Sequence, residues 1–464
     1  MLSKDSSILI IGAGTWGCSI ALELARNGYT DITVLDGEEV PSSIAAGNDV
    51  NKIMEEGSQS EEDTDSAYAW NRLHDICTEA WLNDPLYKPF YHRTGYVMAA
   101  SSDYAYAALL DDIRGHEAEY QQLDSAEGFR RTMPEGVLTG DFKGWRGFSK
   151  PTGAGWVFAR GAVVAAKQEA EKLGARFITG HRGDVVELLF ETAGLQDERI
   201  GAGGGRLQGV KTADGTVHTA HTTILANGAN ADFLLDLKYQ LRPTAWTLAH
   251  IKMTPEEAKL YKDLPVLFHI EKGFFMEPTA DTHELKICDE HPGYINPIYS
   301  SGSDNSDKSI KPGNKSIVGS RPFAKQQIPL ESEARVRAFL RETMPQLAER
   351  PFSFARICWD ADTPDRMPLI DWHPSSSESE SDPDRRNFLL AVGGSGHCFK
   401  TMPAMGRVVR EFLEGRVDER TRRAFRWRPE TAVDRDWWDV QDRWGADGKV
   451  IDFGVVKGWT SIGQ

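Results

Sequence analysis

The chain has 464 residues, 40% hydrophobic and 26% charged, a make-up that points to a globular protein of two or more domains and away from disordered or fibrous classes. A formal net charge of −16 argues against nucleic acid or an anionic membrane as the main partner, and no run of about 20 apolar residues offers a transmembrane helix. Five cysteines, Cys18, Cys77, Cys288, Cys358 and Cys398, lie scattered without zinc or redox spacing, which fits a reducing compartment and no disulfide framework.

The first 36 residues read as a βαβ unit. "SILIIG" is a buried strand, "CSIALELARNG" a helix closed by Gly28, and "DITVLD" the next strand. This alternation predicts a parallel sheet. A helix is expected over 66–82, a strand in "YHRTGYVMAAS", and a second helix at about 102–117. "GWRGFSKPTGAGW" reads as a glycine- and aromatic-rich connection. "ARGAVVAAKQEAEKLG" is an amphipathic helix, and "ARFITG", "VVELLFE", "RLQGVKTADG" and "TTILANGAN" are strands. Residues 240–325 are strand-rich. A helix is expected over 331–350, then the strand "NFLLAVGGSG" and the helix "TMPAMGRVVREFLEG". The insertions "SSGSDNSDKSIKPGNKS" (300–316) and "SSSESESDPDRR" (375–386) are too polar to bury apolar surface and read as mobile loops. The N-terminus has no signal-peptide pattern and "WTSIGQ" is not a peroxisomal SKL-type address, so a cytoplasmic location is expected.

"GAGTWG" carries the clearest chemistry. Gly12 permits the tight turn, Gly14 lets a pyrophosphate approach the backbone, and Gly17 allows close packing of strand and helix. Thr15 and Trp16 open the helix whose N-terminus faces the anion. Asp36 ends the next strand, where a carboxylate can bind ribose hydroxyls and repel a 2′-phosphate. NADP is thereby disfavoured, and NAD and FAD both remain.

Nine stretches spread over nearly the whole chain resemble the fungal fructosyl amine oxidases, or amadoriases, flavoenzymes related to monomeric sarcosine oxidase. They are "IGAGTWG", "SIAAGNDVNK", "GDFKGWRGF", "LRPTAWTLAHI", "GFFMEP", "LKICDEHPGY", "PFSFARICWDADTPDR", "GSGHCFKTMP" and "DRWGADGKVIDF". The resemblance implies an α/β fold: a Rossmann-type FAD-binding domain (1–90, 151–236 and 350–464) interleaved with a β-rich α+β substrate domain (91–150 and 237–349). It implies a monomer that oxidises the C–N bond of fructosyl amino acids with FAD and O2, releasing H2O2. A sarcosine- or saccharopine-type amine oxidase is the neighbouring alternative. An NAD-dependent dehydrogenase and a flavin-binding relative without turnover are more distant ones.

By the same resemblance, Cys358 carries the flavin covalently through a thioether, although a single cysteine is ordinarily an inert core residue. Asp371 closes that motif. Lys286 would assist O2 reduction as a cation near the flavin, and Lys52, in the loop after the second strand, would bind flavin or substrate. Glu290 and Arg443 match a pair that holds the sugar at the substrate mouth. Lys400 faces the substrate, and Trp246 lies near the flavin ring. Gly47, Asn48, Gly396 and Phe399 join the cofactor-binding set. Cys398 departs from the small residue usual at its place in the family. The histidines show no metal-ligand spacing, so no metal is expected.

Overall fold

The computed structural model describes residues 2–57, 60–191, 205–299, 317–376, 386–441 and 448–462. The 300–316 insertion, most of 375–386, and Arg443 lie outside them.

The opening βαβ unit forms as its apolar pattern demands. Ile8–Ile11 is buried throughout and runs parallel to Ile32–Leu35 on one side and Thr222–Leu225 on the other. Phe388–Val392 and Arg176–Ile178 extend this sheet in parallel, and Leu369–Trp372 closes one edge antiparallel. A sheet covered on both faces needs continuously buried strands, and its central strands Ile8–Ile11, Thr222–Leu225 and Phe388–Val392 are buried without alternation. The helix Thr15–Arg26 packs on the helix Met402–Leu413. There Ser19 Oγ donates to the Met402 carbonyl (2.5 Å) and accepts from Gly406 N–H (3.0 Å). A Cβ on Gly406 would overlap the Ser19 carbonyl, so glycine lets the two helices approach.

The second region is a nine-stranded, mostly antiparallel sheet. Its central strand, Arg242–Lys252, pairs with Phe352–Asp362 on one flank and Glu284–Ile295 on the other. This register sets Trp246 opposite Cys358 and His250 opposite Lys286. The strand Phe352–Asp362 therefore belongs to the large sheet, although the sequence division at 350 assigned it to the nucleotide domain.

Several local expectations differ from the structure. "GWRGFSKPTGAGW" is not a connection: it holds the strands Arg146–Lys150 and Ala154–Val157, joined by a turn with Gly153 at φ +72°. Their partners, Tyr96–Ala100 and Lys52–Glu55, lie far away in sequence, so the glycines masked the strands. Lys52 is correspondingly the first residue of a strand rather than a loop residue. "YHRTGYVMAAS" divides into Tyr91–His92 and Tyr96–Ala100. The helix expected to reach 350 ends at Thr343, because Met344 precedes Pro345 and is driven out of helical conformation. The helix begun at Asp103 ends at Asp112, short of 117. Among the described residues no helix is long and apolar enough to cross a membrane.

Candidate functional site

A cleft of about 530 Å³ opens at the carboxyl ends of the parallel strands, where ligands of open α/β sheets bind. Ile11, Leu35, Ala226 and Val392 mark those strand ends on its wall. Gly12, Gly14, Thr15, Trp16 and Asp36 line it as well.

The three glycines of the turn have different surroundings. Gly12, at φ +100°, has no room for a Cβ, which would sit 2.5 Å from Asn227 Cα. A Cβ on Gly17 would overlap the Gly12 carbonyl oxygen, so this glycine sets the strand–helix distance. Around Gly14 a Cβ would meet nothing within 4 Å: the space there is open cleft. The helix that follows has no side-chain N-cap and no acidic residue in its first turn, so its terminal N–H groups lack side-chain partners. The Asp36 carboxylate turns back on the motif, accepting from Ala13 N–H (2.7 Å) and Glu38 N–H (3.0 Å), and burial raises its pKa above the ordinary range.

At the other end of the cleft the wall is charged. Lys52 lines it, with 22% of its side chain exposed. Its Nζ lies 2.9 Å from Asp49 Oδ2. The same oxygen accepts from Lys286 Nζ at 2.7 Å, and Lys286 also donates to the Asn51 carbonyl (2.9 Å). Lys286 and Asp49 are essentially inaccessible. Burial works against both charges in such a pair, but the two lysines hold the Asp49 carboxyl well below the usual carboxylate range. For Lys52, likewise, the adjoining carboxylate outweighs burial and raises the ammonium pKa. Cys358 stands buried in the strand Phe352–Asp362, which Arg242–Lys252 separates from the strand of Lys286. Burial pushes its thiol up while Lys52 and Arg356 pull it back. Arg356, two residues away on the same side of the strand, donates to the carbonyls of Ser43 (3.0 Å) and Ala45 (3.3 Å) in the loop that carries Gly47.

Other predicted residues fall around this frame. Gly47, Gly396 and Phe399 line the cleft, and so does Cys398, whose thiol burial pushes up to about 12. Asn48 does not line it. Asn48 clamps its own loop, donating to the Pro41 and Ser42 carbonyls and accepting from Arg160. Asp371 accepts from Trp427 N–H (2.8 Å) and ties the C-terminal segment to the sheet. Lys400 is half-buried and its carbonyl accepts from the Trp81 indole (2.7 Å). Glu290 is half-buried midway along the strand Glu284–Ile295, its N–H bonded to the Lys272 carbonyl (3.4 Å). Trp246 sits over Gly293, whose missing Cβ makes room for the indole. Asp49 and Arg356 were not singled out from sequence. A buried lysine demands a counter-charge, and the aspartate of "GNDVNK" was the available signal. Among the described residues no group of three or more His, Cys, Asp or Glu could hold a metal ion.

The FAD-dependent oxidoreductase (DAO) family model matches residues 7–412. Fructosyl amine:oxygen oxidoreductase (amadoriase I) of Aspergillus fumigatus is 50% identical, with a TM-score of 0.87 over 100% of this chain and 99% of its own. The chain belongs to the amadoriases, within the FAD-dependent oxidoreductases. As an amadoriase it is an FAD-dependent oxidase acting on a CH–NH donor with oxygen as acceptor. Amadoriase II of A. fumigatus, solved in complex with FSA, is 46% identical with a TM-score of 0.89 and the same coverage. L-Saccharopine oxidase of Schizosaccharomyces pombe is 28% identical over 440 residues, 93% of this chain and 95% of its own.

The cleft of this amadoriase fits FAD on three counts. The helix N-terminus at Gly14, bare of side-chain caps, suits a pyrophosphate. Asp36 spends one lone pair on Ala13 and one on Glu38, and a carboxylate has about four, leaving room for ribose hydroxyls. Asn227 Oδ1, on the cleft wall, is buried without a hydrogen-bond partner, an acceptor suited to a ligand N–H or O–H.

Proposed function

We propose that this amadoriase oxidises fructosyl amino acids at the bond between sugar C1 and the amine nitrogen. When bound, FAD supplies the two-electron redox step, taking a hydride equivalent from the C1–N bond and passing the electrons to O2 as H2O2. The resulting substrate imine takes up water and splits into glucosone and the free amino acid. The observation that supports this substrate is the 50% identity to amadoriase I over the whole of the chain.

The chain's own groups take these roles. Gly14 and the helix behind it hold the pyrophosphate, and Asp36 holds the ribose. Lys286, its buried Nζ bonded to Asp49, supplies the positive charge where oxygen is reduced. Lys52 carries a second charge to the cleft surface. Glu290, Arg443, Lys400 and Trp246 bind the sugar and orient the amine. Cys358 anchors the flavin through a thioether to its 8-methyl carbon. The enzyme works as a cytoplasmic monomer, which size-exclusion chromatography checks.

An H2O2 assay of flavin-loaded protein across fructosyl-valine, fructosyl-lysine and a fructosyl dipeptide tests the substrate. Peroxide from at least one member is the expected outcome, and silence across the panel rejects the proposal. L-Saccharopine belongs in the same panel, because the S. pombe relative is named for it. Peroxide from saccharopine alone would move the enzyme to that class.

A further inference from the structure

The Asp49 carboxylate joins two lysines on one oxygen, and that arrangement has consequences beyond either lysine alone. Lys286 Nζ lies 2.7 Å and Lys52 Nζ 2.9 Å from Asp49 Oδ2, so the two nitrogens are less than about 6 Å apart, a distance at which like charges in a buried setting repel strongly. The other oxygen, Oδ1, accepts from Val50 N–H (2.8 Å), and the Asp49 carbonyl accepts from Arg160 N–H (2.8 Å) at the start of the helix Ala159–Lys172. Asp49 is thus fixed at three atoms. The loop that holds Asp49 and the lysine-bearing strand Glu284–Ile295 come from distant parts of the chain.

We propose that Asp49 is a positioning residue for the oxidase: on one carboxylate oxygen it gathers the buried Lys286 ammonium and the Lys52 ammonium that reaches the cleft, and it offsets their mutual repulsion.

The charges around the cluster make the case quantitative in sign. Lys52 faces Asp49, Asp360, Cys358 and Cys288, and Asp49 faces Lys286, Lys52 and Arg356. The Phe274 ring, 5.2 Å from Lys286 Nζ, is the apolar wall. Three cations therefore meet two carboxylates. Removing the Asp49 charge leaves three cations against Asp360 alone, in a site where burial already disfavours a charged amine. One ammonium must then give up its proton as pH rises. Wild type has no such step near neutrality, because its carboxylate outweighs burial and holds the Lys52 pKa up.

The proposal rests on the FAD oxidase reading but not on the identity of the amine. The test uses holoprotein reduced with dithionite and followed by flavin absorbance as it reoxidises in air-saturated buffer from pH 6 to 9.5, so no amine substrate enters. A pH titration of the resting flavin spectrum is recorded alongside. Wild type is expected to give a flat profile in both. Asp49→Asn is expected to show a new single-proton step in both, with reoxidation falling at least tenfold on the alkaline side. Asp49→Glu, which keeps the charge, is expected to stay flat. A flat, wild-type-rate profile in Asp49→Asn overturns the proposal, and so does the same step appearing in Asp49→Glu. If Asp49→Asn retains no flavin, Asp49→Asn/Lys52→Met restores the charge count. Recovered flavin retention with a flat profile then supports the proposal, and failure to recover rejects it. An inactive fructosyl panel beside a pH-stepped Asp49→Asn would fault the substrate assignment and leave this one standing.

Discussion

At its glycine end the cleft wall is bare backbone. Gly12, Gly14 and Gly17 act by having no side chain, and they come from one short stretch of the first strand–helix unit. At its lysine end Lys52 reaches the wall with buried charge behind it: Asp49, Lys286 and Arg356 arrive with it from three segments, two strands of the large sheet and a loop-to-strand stretch outside it, joined by side-chain contacts. The first end responds above all to added volume. The second tolerates changes of shape that keep the charge count and responds to anything that alters it. One cleft thus has a steric half and an electrostatic half.

The largest effect is expected where volume is forbidden. Gly17→Ala drives a Cβ into the Gly12 carbonyl, backbone against backbone, at a cost on the order of 3 kcal/mol or more. Little folded, yellow protein should be recovered, as read from the ratio of flavin to protein absorbance. Gly14→Ala, which meets open space, should fold normally, so equal damage from the two would erase the distinction between packing and ligand glycines. At the electrostatic end, Lys286→Met should slow reoxidation of reduced enzyme by about 100-fold while flavin stays bound. Stopped-flow absorbance measures it, and an unchanged rate would strip that end of its role.

Cys358→Ala separates attachment from packing. Acid precipitation should leave colour with the wild-type polypeptide and release it from the variant, with a stability loss of only about 1 kcal/mol. Colour washing free from the wild type would make Cys358 a plain core residue. The smallest effect lies outside the cleft and calibrates the rest. Arg350 pairs with Glu257, donating to Oε2 at 2.9 Å and contacting Oε1, and this holds the Glu257 carboxyl down at about 2. A depressed carboxyl stabilises the fold above its unfolded pKa, and that contribution is lost as pH falls toward about 2. Each partner is about one-third exposed, so Glu257→Gln should cost only about 0.5 kcal/mol at pH 7 and progressively less in acid, as thermal melts across pH would record.

The two halves also differed in how far the sequence disclosed them. The glycine turn, its helix and Asp36 obey local rules of spacing, so their roles could be written down residue by residue before any partner was known. Asp36 kept its place but turned toward Ala13, a hydrogen bond that spacing alone does not fix. Lys286 was legible as a strand residue, but its burial was not, because that depends on Asp49 arriving from another segment. The strands in "GWRGFSKPTGAGW" were hidden for the same reason: their partners are remote, and local glycines spoke for a turn. Asn48, placed by family resemblance among the cofactor contacts, clamps its own loop instead.

The strand Arg242–Lys252 has a bearing on how the molecule is made. It can reach its full pairing only after Phe352–Asp362 has been synthesised and has found it across a long loop of chain, a slow kind of closure. Cys358 meets Trp246, and comes beside the lysines, only once that closure is complete. A flavin anchored at Cys358, as proposed, would therefore be attached late in the life of each chain, and colour surviving denaturation would mark a polypeptide that had once folded correctly.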